Sequence, residues 1–476
     1  MSFLMYDIIL LIVFSSFIVW FLYTKRKNLK REGILYLYKT SWGIKLINYV
    51  GTKYKRTLKV LSYISIGIGY ILMIGIIYLF AQIIYLYAAF PGIVRAIKIP
   101  PIMPLIPYLP SIFKLDFLPP FYFTYWIVIL AIIAVTHEFA HGIFAKRYNI
   151  GIKSTGFGFL GPFLAAFVEL DEKKMVKEKK FKQLAILSAG TFANVLTSIL
   201  FFFIIWWFFS MSFTPSGVIF DTYPYSIINI NDIISVGNTA LNSPTYEDVL
   251  NNIEGEEFNK IEVDSGSYKI NKAYLEMQKV QNAELFQQGK LILYDDAPAI
   301  NAGLDGVIME INGVKITDVE KLGKELEKYA PGDEIKIKVK NDEEILEHLI
   351  VLGKTPANPS KAWLGVGFID RQGRGILSKT YILLASFKKE HVYYEPKFEV
   401  SLFIYNLLWW VILISISVAL VNMLPAGIFD GGRFFYLTVL AFVKNEKTAN
   451  KISSWATKVF LILILLLMIF WGISFI

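Results

Sequence analysis

No cysteine occurs in the 476 residues. Disulfide frameworks, thiolate metal sites and cysteine nucleophiles are all excluded by that one absence. Histidine is nearly as scarce, at four residues, and charged residues make up only 18% of the chain. A soluble globular domain carries about 25% charged residues, so this chain lacks the groups that keep a large surface wetted. Hydrophobic residues reach 55%, and the mean hydropathy is +0.49. Such a balance excludes a disordered chain and an ordinary nucleic-acid binder, despite a formal net charge of +9. An integral membrane protein with one large polar part remains.

The charges locate that part. Residues 221–400 hold 20 basic and 29 acidic residues, a net of −9, and the remainder holds 28 and 10, a net of +18. A bilayer-spanning helix needs about 20 apolar residues. Segments 3–23, 60–94, 117–136, 183–220, 400–429 and 459–476 qualify, with Asp7 as the sole charge in the first. The loops after the first, third and fifth spans together hold 25 Lys and Arg, against three in 91–119. Short Lys/Arg-rich loops stay cytoplasmic. The N-terminus and residues 221–399 are therefore expected outside the cytoplasm, with the first span an uncleaved anchor. Abundant Ile and Lys without cysteine suit a prokaryotic cell membrane.

Two of the four histidines stand in His137-Glu138-Phe139-Ala140-His141, at the end of an uncharged run. On a helix, residues four apart share one face, so both imidazoles can reach one metal ion. Glu138 beside them can accept a proton from water. Ionisable groups inside an apolar helix are costly and mark function more often than packing. A catalytic zinc needs a third protein ligand. Glu169 is one candidate. Asp430, in Asn422-Met-Leu-Pro425-Ala-Gly-Ile-Phe-Asp430-Gly431-Gly432, is the better one, because it too ends an apolar span at the cytoplasmic face. A helix cap or turn residue is the plain alternative for Asp430. Asn194, in Ala189-Gly190-Thr191-Phe192-Ala193-Asn194, offers an amide that could donate to a developing oxyanion, or simply bond a neighbouring helix. Residues 151–168 are apolar but interrupted by glycines and Pro162. They make a poor helix, so a re-entrant hairpin beside the site or an interfacial loop is expected.

Together these residues resemble the site-2 protease family of intramembrane zinc metalloproteases. The resemblance rests on HExxH in a membrane helix, on N-x-x-P-x-x-x-x-D-G-G, on the glycine-rich segment between them and on the Asn after Ala-Gly. Phe429 stands where Leu is frequent. The resemblance implies one zinc per chain on His137, His141 and Asp430, Glu138 as catalytic base, and Asn194 as a support for the substrate carbonyl. It implies transmembrane proteins as substrates, cut within the bilayer near its cytoplasmic face, and no nucleic-acid partner.

The polar part resembles PDZ domains in Ala297-Pro-Ala-Ile-Asn-Ala-Gly303-Leu304, in Asn312-Gly313 and in Pro331-Gly332-Asp333, which places Gly303 and Leu304 at a peptide-binding groove. Residues 232–241 echo 305–314 in their polar start, apolar core and turn, so a first, degenerate module is expected. The expected organisation is a multi-pass α-helical membrane protein of about six spans with an extracytoplasmic α+β PDZ-like insertion. Its parts run 1–59 (anchor and basic loop), 60–148 (second and third spans), 149–182 (glycine-rich and basic segments), 183–214 (fourth span), 215–294 and 295–370 (two modules), 371–399 (connector) and 400–476 (C-terminal spans). A membrane scaffold with a silent metal site and a zinc transporter are the rival readings. The intact Glu138 disfavours the first, and ionisable groups clustered at one depth disfavour the second.

Overall fold

The computed structural model describes residues 3–33, 35–90, 100, 103–115, 118–160, 163–255, 257–341, 344–356, 358–369 and 386–473. Gly161 and Pro162 of the glycine-rich segment, and residues 371–385 of the expected connector, lie outside them. The chain divides into two units, Met1–Phe208 with Leu402–Ile476, and Phe209–Ser401.

In the first unit, six helices among the described residues are long and apolar enough to cross a bilayer: α1 (Phe3–Thr24), α3 (Lys55–Ala89), α4 (Phe123–Arg147), α5 (Lys180–Ser212), α6 (Ser401–Asn422) and α8 (Glu446–Ile473). Two shorter helices, α2 (Ile44–Lys53) and α7 (Asp430–Val443), complete the set used below. Two expected spans end early. The fourth stops at Ser212, because Thr214, Pro215 and Gly217 enter a strand and Pro215 has no N–H to continue a helical ladder. The fifth stops at Asn422, and residues 423–429 form a turn around Pro425 before α7 begins.

The glycine-rich segment is a β-hairpin. It joins an earlier hairpin to make a four-stranded antiparallel sheet in the order β1 (Leu29–Glu32), β2 (Leu35–Thr40), β3 (Ile152–Leu160), β4 (Phe163–Leu170). Its outer strand is β4.

Two apolar clusters hold α4. Near the histidines, Phe144, Ala145, Ile186, Met423 and Phe434 bring α4, α5, the 423–429 turn and α7 into one core. Toward the other end, Trp126, Ile129 and Ile133 pack on Trp410, Val411 and Ile414 of α6. The N-terminus of α4 is capped from another helix. Asp7 of α1, only 2% exposed, accepts hydrogen bonds from the Phe123 and Thr124 N–H groups at 2.7 and 2.9 Å and from the Tyr108 hydroxyl at 2.6 Å. A helix leaves its first N–H groups without internal partners, and this lone charge of the first span supplies the acceptor.

The second unit holds two larger sheets. One runs in the order β6 (Tyr225–Asn229), β11 (Lys290–Asp295), β10 (Gly266–Ile270), β9 (Asn259–Val263), β7 (Ile233–Val236), β8 (Thr239–Ala240). The other runs β15 (Glu344–Val351), β14 (Glu334–Asn341), β12 (Val307–Ile311), β5 (Phe213–Ile219), β18 (Val392–Pro396), with β13 (Val314–Lys315) on β12. A small hairpin pairs β16 (Gly353–Thr355) with β17 (Asn358–Trp363). The two sheets share a local topology. The β7–β8 hairpin leads to the helix Tyr246–Asn251, after which β9 pairs with β7 and β10 with β9. The β12–β13 hairpin leads to the helix Val319–Leu326, after which β14 pairs with β12 and β15 with β14. Each has its own apolar core, centred on Val249, Ile261 and Leu275 in one and on Ile308, Ile337 and Leu322 in the other. In β14 the alternation is plain: Ile335, Ile337 and Val339 face the core and lysines take the other side.

Candidate metal centre

The α4 helix sets His137 and His141 one turn apart on one face, with both rings buried and their centroids 4.7 Å apart. Their Nε2 atoms lie 3.1 Å from each other. Asp430 reaches them from the first residue of α7, with Oδ2 3.3 Å from His137 Nε2 and 3.2 Å from His141 Nε2. The three residues form one compact group of donor atoms. Atoms about 2.0–2.2 Å from one zinc ion at tetrahedral angles lie about 3.3–3.6 Å apart, so this triangle fits such an ion with little adjustment.

The surrounding residues are shaped to the same end. The His141 Nδ1–H donates to the Ile186 carbonyl at 2.7 Å. A carbonyl only accepts, so the proton sits on Nδ1 and Nε2 keeps its lone pair for a metal. Gly190, one turn further along α5, lies against both rings. A Cβ there would stand 2.3 Å from His141 Nε2 and 2.6 Å from His137 Nε2, so any side chain would occupy the space where the donors converge. Asp430 depends on close approach too. A Cβ on Gly431 would fall 2.3 Å from the Met423 carbonyl carbon, and one on Gly432 2.4 Å from the Ala426 oxygen. The two glycines let α7 begin directly against the 423–429 turn, which points its first residue at the histidines.

Glu138 lies outside the donor triangle. Its Oε2 accepts the Val168 N–H of β4 at 3.0 Å. Glu138, His141, Val168 and Asp430 border a cavity of about 650 Å³ that extends to Lys39 and Glu169. Glu169, the other candidate ligand, is engaged elsewhere. It accepts from the Lys39 ammonium and from the Ser154 hydroxyl, both at 2.6 Å, and the bonded ammonium holds its carboxyl below the usual range.

The other expected site residues are placed as follows. Asn194 is turned toward His137. It is wholly buried, and its amide nitrogen lies 3.0 Å from His137 Nδ1. Leu304 is wholly buried in the core of the second unit, and its carbonyl accepts the Tyr223 hydroxyl at 2.6 Å, so its side chain is closed to a ligand. Gly303 has φ +59 and ends the short helix Pro298–Asn301, a turn position that suits glycine. Sequence reasoning passed over Gly190, Ile186 and the capping role of Asp7. A glycine inside an apolar helix and a lone charge in a span were the available signals. The Ile186 carbonyl has none.

The family model for Peptidase family M50 matches residues 125–467, which includes the two histidines, Glu138 and Asp430. An uncharacterized protein of Methanocaldococcus jannaschii is 27% identical over 296 residues, covering 60% of this chain and 69% of that protein. The zinc metalloprotease RasP of Shouchella clausii is 26% identical over 170 residues, covering 30% of this chain and 40% of that protein. With a match over most of its length, six apolar helices and a His-His-Asp group beside a glutamate, the chain belongs to peptidase family M50, the site-2 protease family, and is an integral membrane metalloprotease.

Proposed function

We propose that the protein is an intramembrane endopeptidase carrying one zinc ion, which cuts transmembrane segments of other membrane proteins near the cytoplasmic face. The observation that carries this reading is the convergence of His137, His141 and Asp430 with Glu138 beside them on a cavity wall. His137, His141 and Asp430 would hold the ion. When bound, zinc supplies Lewis acidity, which polarises a carbonyl and brings the pKa of water toward neutrality.

The protein's own groups do the rest. Glu138 takes the proton from the attacking water at a carboxylate oxygen and later gives it to the departing amine. The Val168 N–H holds Oε2 and so orients the carboxylate while that transfer occurs. A helical substrate hides its carbonyls in its own hydrogen bonds and must unwind before attack. The outer edge of β4 offers backbone groups to which an unwound stretch can pair as an added strand.

The Lys-rich loops support a cytoplasmic placement of the nearby site, with the N-terminus and residues 221–399 on the other side. The resemblance of 295–370 to PDZ domains, and the matching strand order of the preceding sheet, support two modules of that kind.

Purified protein incubated with a model transmembrane substrate tests the activity. Cleavage should stop with a zinc chelator and return on adding zinc. Cleavage that persists in the fully metal-free protein would remove the zinc mechanism.

A further inference from the structure

One stripe of α5 serves both histidines. Ile186, Gly190 and Asn194 follow at four-residue spacing and share a face. Ile186 takes the Nδ1–H of His141, Gly190 leaves room at both Nε2 atoms, and Asn194 meets Nδ1 of His137. The last contact is chemically informative. The Asn194 amide nitrogen faces Nδ1 at 3.0 Å, while its oxygen is buried without any donor. His137 Nε2 points at His141 and Asp430. If that lone pair is to meet a metal, the ring proton must sit on Nδ1. An amide NH2 group cannot accept that proton, but the amide oxygen can. A half-turn about the Cβ–Cγ bond exchanges two ends of nearly equal size. It brings the donorless oxygen onto Nδ1–H.

We infer that Asn194 is a positioning residue for the metal centre. Its Oδ1 accepts the Nδ1–H of His137, which fixes the tautomer and the ring plane in which Nε2 faces the ion. This rests on the reading of His137, His141 and Asp430 as zinc ligands, and it replaces the expected contact with the substrate carbonyl. Both histidines then have a buried acceptor behind them, a backbone carbonyl for one and a side-chain carbonyl for the other. Partners of this kind behind metal-bound histidines tune affinity by about 10–100-fold.

The test uses the full-length protein in detergent, with Asn194→Asp and Asn194→Leu. Asp keeps an acceptor at the same reach and offers no amide donor, whereas Leu keeps the volume and offers neither. Zinc affinity is read by chelator competition, cleavage on a model transmembrane substrate, and folding by the melting temperature of the metal-free protein. The expected result is zinc affinity within about 3-fold of wild type and retained cleavage in Asn194→Asp, with zinc affinity about 10–100-fold weaker in Asn194→Leu. Cobalt(II)-loaded Asn194→Asp should keep the absorption bands of the loaded wild type. If Asn194→Leu fails to fold, Asn194→Asp decides alone, because loss of cleavage with zinc intact is the signature of a lost oxyanion donor and overturns the inference. Wild-type zinc affinity in a folded Asn194→Leu, or loss of zinc in Asn194→Asp, overturns it as well. A wild-type protein that binds no zinc overturns the metal centre itself, which separates the two failures.

Discussion

The backbone N–H of Val168 donates to Glu138 Oε2 at 3.0 Å, which ties the proposed base to the outer strand of the β1–β4 sheet. The strand that could pair with substrate therefore also aims the carboxylate. Replacing Glu138 by Gln keeps an amide oxygen for the Val168 N–H and removes the proton acceptor. Zinc content should stay near wild type, since Glu138 is outside the donor triangle. Cleavage should fall by at least ~10²-fold, the lower end for loss of a general base. Metal analysis and a cleavage assay on one preparation check both, and full activity would remove the mechanism.

The third ligand can be separated from its rival by substitution. Asp430→Ala removes an oxygen 3.2–3.3 Å from both Nε2 atoms. Zinc affinity should drop by more than the ~100-fold seen for loss of an outer partner, and cleavage with it. Glu169→Ala breaks the pair with Lys39 at a site about one-third exposed and should leave zinc bound. The assignment fails if Glu169→Ala releases the metal and Asp430→Ala retains it.

How much of this was legible in sequence depends on distance along the chain. The His137–His141 relation is local, because helical periodicity alone places two residues four apart on one face. Asp430 is nearly 300 residues away, and it was joined to the histidines by its position at the end of an apolar run and by the N-x-x-P-x-x-x-x-D-G-G motif that contains it. The direction of the Asn194 side chain was not legible, since residue type says what a group can bond and not which way it faces. The β1–β2 hairpin was missed because its lysines and arginines read as a basic loop, although Leu35-Tyr-Leu-Tyr-Lys-Thr is rich in strand formers. The ends of the fourth and fifth spans were misplaced because hydropathy does not register the change to a strand at Phe213 or the turn at Pro425.

Gly190→Ala offers a test that sets local propensity against the site. Alanine is the better helix former by about 1 kcal/mol, so α5 on its own should gain. The new methyl, however, would stand 2.3 and 2.6 Å from the two Nε2 atoms. A folded protein with at least ~10-fold weaker zinc binding is expected. Gly67→Ala, where a Cβ meets nothing within 4 Å, serves as the control. Equal zinc affinity in the two variants would show that Gly190 is not part of the site.

Asp7 should matter for stability rather than chemistry. Asp7→Ala leaves two N–H groups of α4 and the Tyr108 hydroxyl without their acceptor. Each unmet buried group costs about 1–3 kcal/mol. The variant should melt several degrees lower in detergent and keep its zinc affinity once folded. Asp7→Asn, which retains one acceptor oxygen, should fall between. An unchanged melting temperature in Asp7→Ala would show that the cap carries no load.

The second unit can be removed with little disturbance to the chain ends. The Ile219 N–H donates to the His391 carbonyl at 2.9 Å, and β5 runs antiparallel to β18 from Val218–Val392 to Phe213–Pro396. A short Gly/Ser linker can therefore replace residues 221–390. His137, Glu138, His141 and Asp430 all belong to the first unit, so the second supplies none of the proposed catalytic groups. It then acts as a filter that screens the extramembrane parts of substrates by size or by an exposed tail. The linker variant should cleave a short substrate with almost no external domain at a rate near wild type. It should also discriminate less against substrates with bulky external domains. The alternative is that the unit braces α5 and α6, whose positions set Asn194 and the approach to Asp430. Its removal would then weaken zinc binding and slow cleavage of every substrate alike. Both substrate types and the zinc content, measured on the same variant, separate these outcomes, because a filter changes the ratio of the two rates whereas a brace lowers both. Uniform loss together with loss of zinc would sink the filter.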